Sequence, residues 1–128
     1  MSLQGITGIW VMLTIAASGF STAHAQSRFD GTWRIRFGTD QTPGCTAPPT
    51  YVYLIKIDDG SIMKLRSDAT RRFTGTVDAQ GVVSADADLG GTHRARGTGR
   101  LQSDAGRGNW NATTMPCTGV WTARRVSR

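Results

Sequence analysis

The side chains able to do chemistry in this chain are few. All nine acidic residues are Asp, and only two histidines and two cysteines occur. A nucleophilic triad could be drawn through His93 with Asp86 or Asp88, but no nucleophile-elbow motif accompanies them. A paired-carboxylate hydrolase needs two inward acids. Asp58, Asp59, Asp78 and Asp104 instead fall in turn sequences, where carboxylates cap backbone N–H groups. One usable His and two Cys suited to a disulfide do not make a zinc site. No catalytic residue, metal site or cofactor is therefore expected, and the chain reads as a non-enzymatic binding module.

Two constellations suggest what could be bound. Trp33, Phe37, Tyr53, Phe73, Trp110 and Trp121 share one face of alternating segments. With Trp33, Tyr53, Trp110 and Trp121 at its centre, that face would line a pocket for a small apolar or aromatic ligand. The alternative is a filled core. His93 lies near the expected mouth and is a candidate haem ligand in a less favoured reading. The second constellation is basic: thirteen Arg and two Lys give a net charge of +6 and a pI of about 10.4. Arg34, Arg36, Arg94, Arg96 and Arg124 point away from the aromatic face. Arg favours bidentate contact with phosphate or carboxylate. These residues define an alternative function, an envelope interaction protein that binds anionic glycan, lipopolysaccharide or an exported protein. A plain solvated surface is the competing account. Arg66, Arg71 and Arg72 form a further basic cluster.

The positioning elements are strands. Sparse Leu and Lys and absent Glu disfavour long helices. Thr32 to Phe37 alternates Trp33, Ile35 and Phe37 against Arg34 and Arg36, the pattern of a half-buried strand. Tyr51–Ile57, Ile62–Arg66, Phe73–Val77, Val82–Asp88, His93–Leu101, Gly108–Ala112 and Gly119–Arg125 complete eight strands. Asp58-Asp59-Gly60, Ala79-Gln80-Gly81 and Leu89-Gly90-Gly91 each fit a three-residue hairpin loop. Those loops set Val77 opposite Val83, Gly75 opposite Ala85, Ala85 opposite Ala95, and Asp86 opposite Arg94. A four-residue loop over Asp104–Arg107 sets Leu101 opposite Trp110. Small residues (Gly75, Ala85, Ala87, Ala95, Gly97, Gly99) would then face the tryptophans and leave space.

The expected fold is all-β, one eight-stranded antiparallel up-and-down barrel over residues 26–128, with a β-sandwich as the alternative. Residues 1–25 read as a signal peptide: an apolar stretch from Ile6 to Phe20, then Ala23-x-Ala25 before Gln26. A membrane anchor is the alternative reading of that stretch, and no later run is apolar enough to span. An exported chain with two cysteines predicts the disulfide Cys45–Cys117. In a closed meander both would lie in neighbouring loops at one end. A periplasmic or secreted monomer follows, whose partner is a small ligand or an envelope component rather than nucleic acid.

Three segments repeat Gly-x-Trp: Gly31-Thr32-Trp33, Gly108-Asn109-Trp110 and Gly119-Val120-Trp121. The chain resembles a group of small exported proteins of soil α-proteobacteria (rhizobial type). They share Phe29-Asp30-Gly31-Thr32-Trp33, a Cys before Tyr51-x-Tyr53, and Cys117-x-Gly119-x-Trp121-x-Ala123-x-Arg125. The resemblance implies export and a common fold, and brings no activity. A looser likeness, limited to the Gly-x-Trp strand, extends to avidin-type barrels and to protease inhibitors of barrel form.

Overall fold

The computed structural model describes residues 5, 28–40, 42–64, 72–88 and 93–128. The expected signal segment, Arg66, Arg71 and the Leu89–Gly91 turn lie outside the described residues.

Eight strands follow in chain order: β1 Gly31–Thr39, β2 Thr50–Asp58, β3 Ser61–Lys64, β4 Arg72–Val77, β5 Val82–Asp88, β6 Arg94–Gln102, β7 Ala105–Ala112 and β8 Thr118–Ser127. Each is antiparallel to the next, and β8 returns to β1 to close the barrel. The closing ladder runs from Thr32↔Ser127 to Thr39↔Gly119, with one irregularity at Thr32/Trp33. Full closure removes both sheet edges, and the sandwich alternative is thereby replaced. Alternation is the cause at residue level. Trp33 and Ile35 are buried while Arg34 and Arg36 are exposed, and the same two-residue period continues through β2 and β8.

Turn chemistry sets the register, and here the structure corrects three expectations. Asp59 and Gly60 form a two-residue turn with φ of 48° and 77°. Positive φ at both central positions suits the type I′ hairpin, for which Asp-Gly is a favoured pair. Ile57 therefore pairs with Ile62, and both enter the core. Between β6 and β7 the turn is Ser103–Asp104, with Ser103 at φ 54°. Leu101 lies opposite Gly106 rather than Trp110, and Trp110 lies opposite Gly97. No glycine marks that turn, so the sequence pointed to Gly106, which instead sits against Leu101 in the strand. Finally, five residues separate Asp88 from Arg94, so Asp86 faces Arg96 and Ala85 faces Gly97. The last two shifts are even-numbered, and an even shift leaves every side chain on its expected face. The Ala79–Gly81 loop is as expected: Val77 pairs with Val83, and Gln80 N and Val82 N both donate to Asp78 Oδ1 at 2.9 Å.

Loops after β2, β4 and β6 are tight, whereas those after β1, β3, β5 and β7 are longer. The barrel thus has a closed end and a mouth. Cys45 and Cys117 join two mouth loops, with Cα atoms 5.1 Å apart. The bridge spans 72 residues, a loop whose closure entropy is worth about 4 kcal/mol in the chain-entropy model. Reduction, or Cys45→Ala with Cys117→Ala, is expected to lower the thermal midpoint by roughly 15–30 °C. Equal midpoints in scanning calorimetry with and without reductant would contradict a stabilising bridge.

Candidate functional site

The barrel interior is built in layers. At the closed end Phe29, Trp33, Ile57, Val77 and Leu101 are almost wholly buried. Arg125 seals this floor. Its guanidinium lies 5.0 Å from the centre of the Trp33 ring. It donates to Asp30 O at 2.9 Å, Arg28 O at 2.9 Å and Ser103 O at 3.2 Å. Its Nε lies 2.9 Å from Asp104 Oδ1, a charge contact in which the N–H is not aimed at the oxygen. The side chain is only 6% exposed. Arg125 sits on the inward side by the same two-residue alternation that buries Trp121 and Ala123, and it lies directly opposite Trp33.

Above the floor, aromatic rings form an arc. Phe37 meets Trp110 edge-on at 6.4 Å and Tyr53 at 6.0 Å. Tyr53 continues to Phe73 at 5.2 Å and stacks on Tyr51 at 6.2 Å. The opposite wall is Ala85, Ala87, Ala95 and Gly97. Between them lies a cavity of about 100 Å³, lined by aromatic and aliphatic side chains and reaching Asp86 and Arg96 at the β5–β6 wall. A second pocket of about 220 Å³ occupies the mouth. The two share Tyr51, Tyr53, Ala95 and Trp110, and the outer one adds Thr46, His93, Arg94, Thr114 and Cys117.

The three indoles expected to line the site have distinct positions. Trp33 is floor, 0% exposed, and donates to Phe29 O at 2.8 Å. Trp121 donates to Thr98 O at 3.1 Å. Trp110 donates to Gly38 O at 2.9 Å and stands between cavity and mouth. All three N–H groups are thus spent on the barrel's own carbonyls, so the indoles offer a ligand only apolar surface.

The Gly-x-Trp repeats explain themselves in the register. Trp110 lies opposite Gly119, and Gly108 opposite Trp121. A Cβ on Gly108 would come within 2.6 Å of the Trp121 ring, and one on Gly119 within 2.7 Å of Trp110 Nε1. Each glycine seats the other strand's indole. Gly99 holds the far side of Trp121, and Gly75 is crowded by Ala85. The expected space beside these two glycines is therefore filled. The void comes instead from Ala85, Ala87, Ala95 and Gly97, where a Cβ on Gly97 would meet only ordinary contacts beyond 3.6 Å.

His93 is exposed and reaches only the mouth pocket. The interior is well below the ~300 Å³ of small drug-sized sites, leaving no room inside for a haem macrocycle. Among the described residues no three His, Cys, Asp or Glu side chains gather as metal ligands. The basic candidates divide. Arg34, Arg36 and Arg124 share an outward face on β1 and β8, with Arg34 directly opposite Arg124. Arg94 and Arg96 lie two strands away, and Arg96 Nε bonds Asp86 Oδ1 at 3.0 Å. The five candidate arginines thus form two separate groups. The sequence reading missed the mouth residues Tyr51, Thr46, Thr114 and Met115. All but Tyr51 lie outside the strands, where no periodicity marks them.

Comparison with protein-family models, with curated proteins and with solved structures finds no match to this chain.

Arg125→Leu should remove the three carbonyl contacts and the cation–π contact while keeping similar bulk. A loss of roughly 3 kcal/mol in denaturant unfolding is expected. Unchanged stability would show that the floor closes without it.

Proposed function

We propose that the protein is an exported binding module, non-enzymatic, that takes a small and largely apolar ligand through the disulfide end of the barrel. One observation carries this reading: the interior is not filled. Eight strands give a bore that side chains can just fill, yet alanines and a glycine stand opposite the aromatic arc and leave about 100 Å³ empty. An apolar void of comparable size, about 150 Å³, binds benzene-sized guests.

The ligand's apolar part would lie against Phe37, Tyr53, Phe73 and Trp110. Any polar part would remain at the mouth, near Thr46, His93, Arg94 and Thr114. Export is supported by the disulfide, which persists in oxidising compartments, and by the apolar stretch before Ala25. Among the described residues no helix is long and apolar enough to cross a membrane. The outward strand positions mix Arg, Thr, Asn and Asp with scattered aliphatic side chains, unlike the continuous apolar belt of a membrane-spanning barrel.

Titration with toluene, a neutral apolar molecule of about benzene size, tests the reading. It should raise the thermal midpoint of the wild-type protein. Gly97→Leu fills the void from a position that tolerates a side chain, and should weaken binding at least tenfold with the fold intact. Equal binding by a folded Gly97→Leu variant, or no rise in the wild type, would refute an interior site.

A further inference from the structure

The outer surface of the barrel carries a second feature, independent of the cavity. Two rows of outward residues cross β6, β7, β8, β1 and β2. One row reads Arg100, Arg107, Thr122, Arg36, Val52 in direct register. The next reads Gln102, Ala105, Arg124, Arg34, Leu54. Arg100 directly faces Arg107, and Arg34 directly faces Arg124. Like charges opposite each other on one sheet face are destabilising. No acid relieves them: β1, β7 and β8 contain no Asp or Glu. Among the described residues none of these five arginines has an ion-pair partner, whereas Arg96, Arg125 and Arg128 each do.

The same face exposes aliphatic side chains. Val52 is 54%, Leu54 39% and Val120 56% exposed, and all three lie beside the arginines. Every aromatic side chain among the described residues belongs to the interior.

We propose that this β8–β1–β2 face docks on an anionic lipid surface, its guanidinium groups on headgroup phosphates and its Val and Leu side chains at the acyl boundary. Unrelieved positive charge calls for a polyanion. The choice among polyanions rests on the neighbours. A glycan would be met by aromatic platforms or a polar lattice, and this face has neither aromatics nor a groove. Exposed Val and Leu between arginines are the composition of a membrane-surface element. Arginine stems reach past the convex sheet, so Arg34, Arg36 and Arg124 meet the surface together, and Arg107 and Arg100 flank them.

The test is co-sedimentation with phosphatidylcholine vesicles containing, or lacking, about one-third phosphatidylglycerol. Binding is expected to the anionic vesicles alone, and to fall as the Debye length shrinks from about 30 Å to about 8 Å with added salt. Each arginine near such a surface is worth about fivefold. Arg34→Gln with Arg124→Gln should therefore weaken binding about 25-fold. Because it removes an opposed like-charge pair, it should leave the thermal midpoint equal or higher. Val52→Ser with Leu54→Ser and Val120→Ser should also weaken binding, and Arg72→Gln, on β4, should leave it unchanged. Equal binding to both vesicle types, or undiminished binding by the Arg34/Arg124 variant, would overturn the proposal. Retention on soluble polygalacturonate with no vesicle binding would overturn it too and reassign the face to a glycan. Full vesicle binding by the aliphatic triple variant would refute lipid as the chosen polyanion.

Discussion

Every other feature of this barrel depends on the pairing of β8 with β1. That ladder converts a meander of hairpins into a closed cylinder, and closure brings distant residues together. Cys45 and Cys117 become neighbours only because the loops after β1 and β7 flank the closing seam. Arg125 reaches the chain segment around Asp30 for the same reason. The seam also places Arg34 beside Arg124. An open sheet of the same strands would have had neither a floor nor a mouth.

Inside the cylinder, two kinds of small residue play opposite roles. Gly108 and Gly119 are seats for indoles, so their smallness is consumed by packing. Ala85, Ala87, Ala95 and Gly97 face the aromatic arc with nothing filling the gap. The difference is one of register. In β7 and β8 the large residue on one strand meets the glycine on the other. Across the bore, small residues of β5 and β6 face rings that already pack on one another, and those rings do not extend to the far wall.

Much of this was legible in the residues. The alternation through Trp33, Ile35 and Phe37 specifies which side of β1 is buried, because the side-chain period of a strand is two. Cysteines in the loops after the first and seventh strands imply closure. What was misread lay in the turns, whose lengths glycine positions alone do not specify. Ser103 takes a positive φ without being glycine, so the β6–β7 hairpin is tighter than the glycine pattern suggests. The cavity itself was ambiguous, since inward parity gives direction and not reach. The outer arginines were half legible. Arg34, Arg36 and Arg124 were grouped correctly, whereas Arg100 and Arg107 joined them only once the β6–β7 register was known. Asp86 separated Arg96 from them in the same way.

The clamp at Arg125 has a consequence for the order of events during synthesis. Its contacts with Asp30 and Arg28 span 95 and 97 residues, among the most distant in the chain. Contacts of such separation carry a large loop-closure cost and form slowly. Strand β1, made early, keeps one unpaired edge until β8 has been made. Arg34 and Arg36 sit on that waiting edge, where charge discourages pairing with another chain. A nascent chain of this design therefore cannot complete its barrel early. It closes into a cylinder only when its last strand arrives.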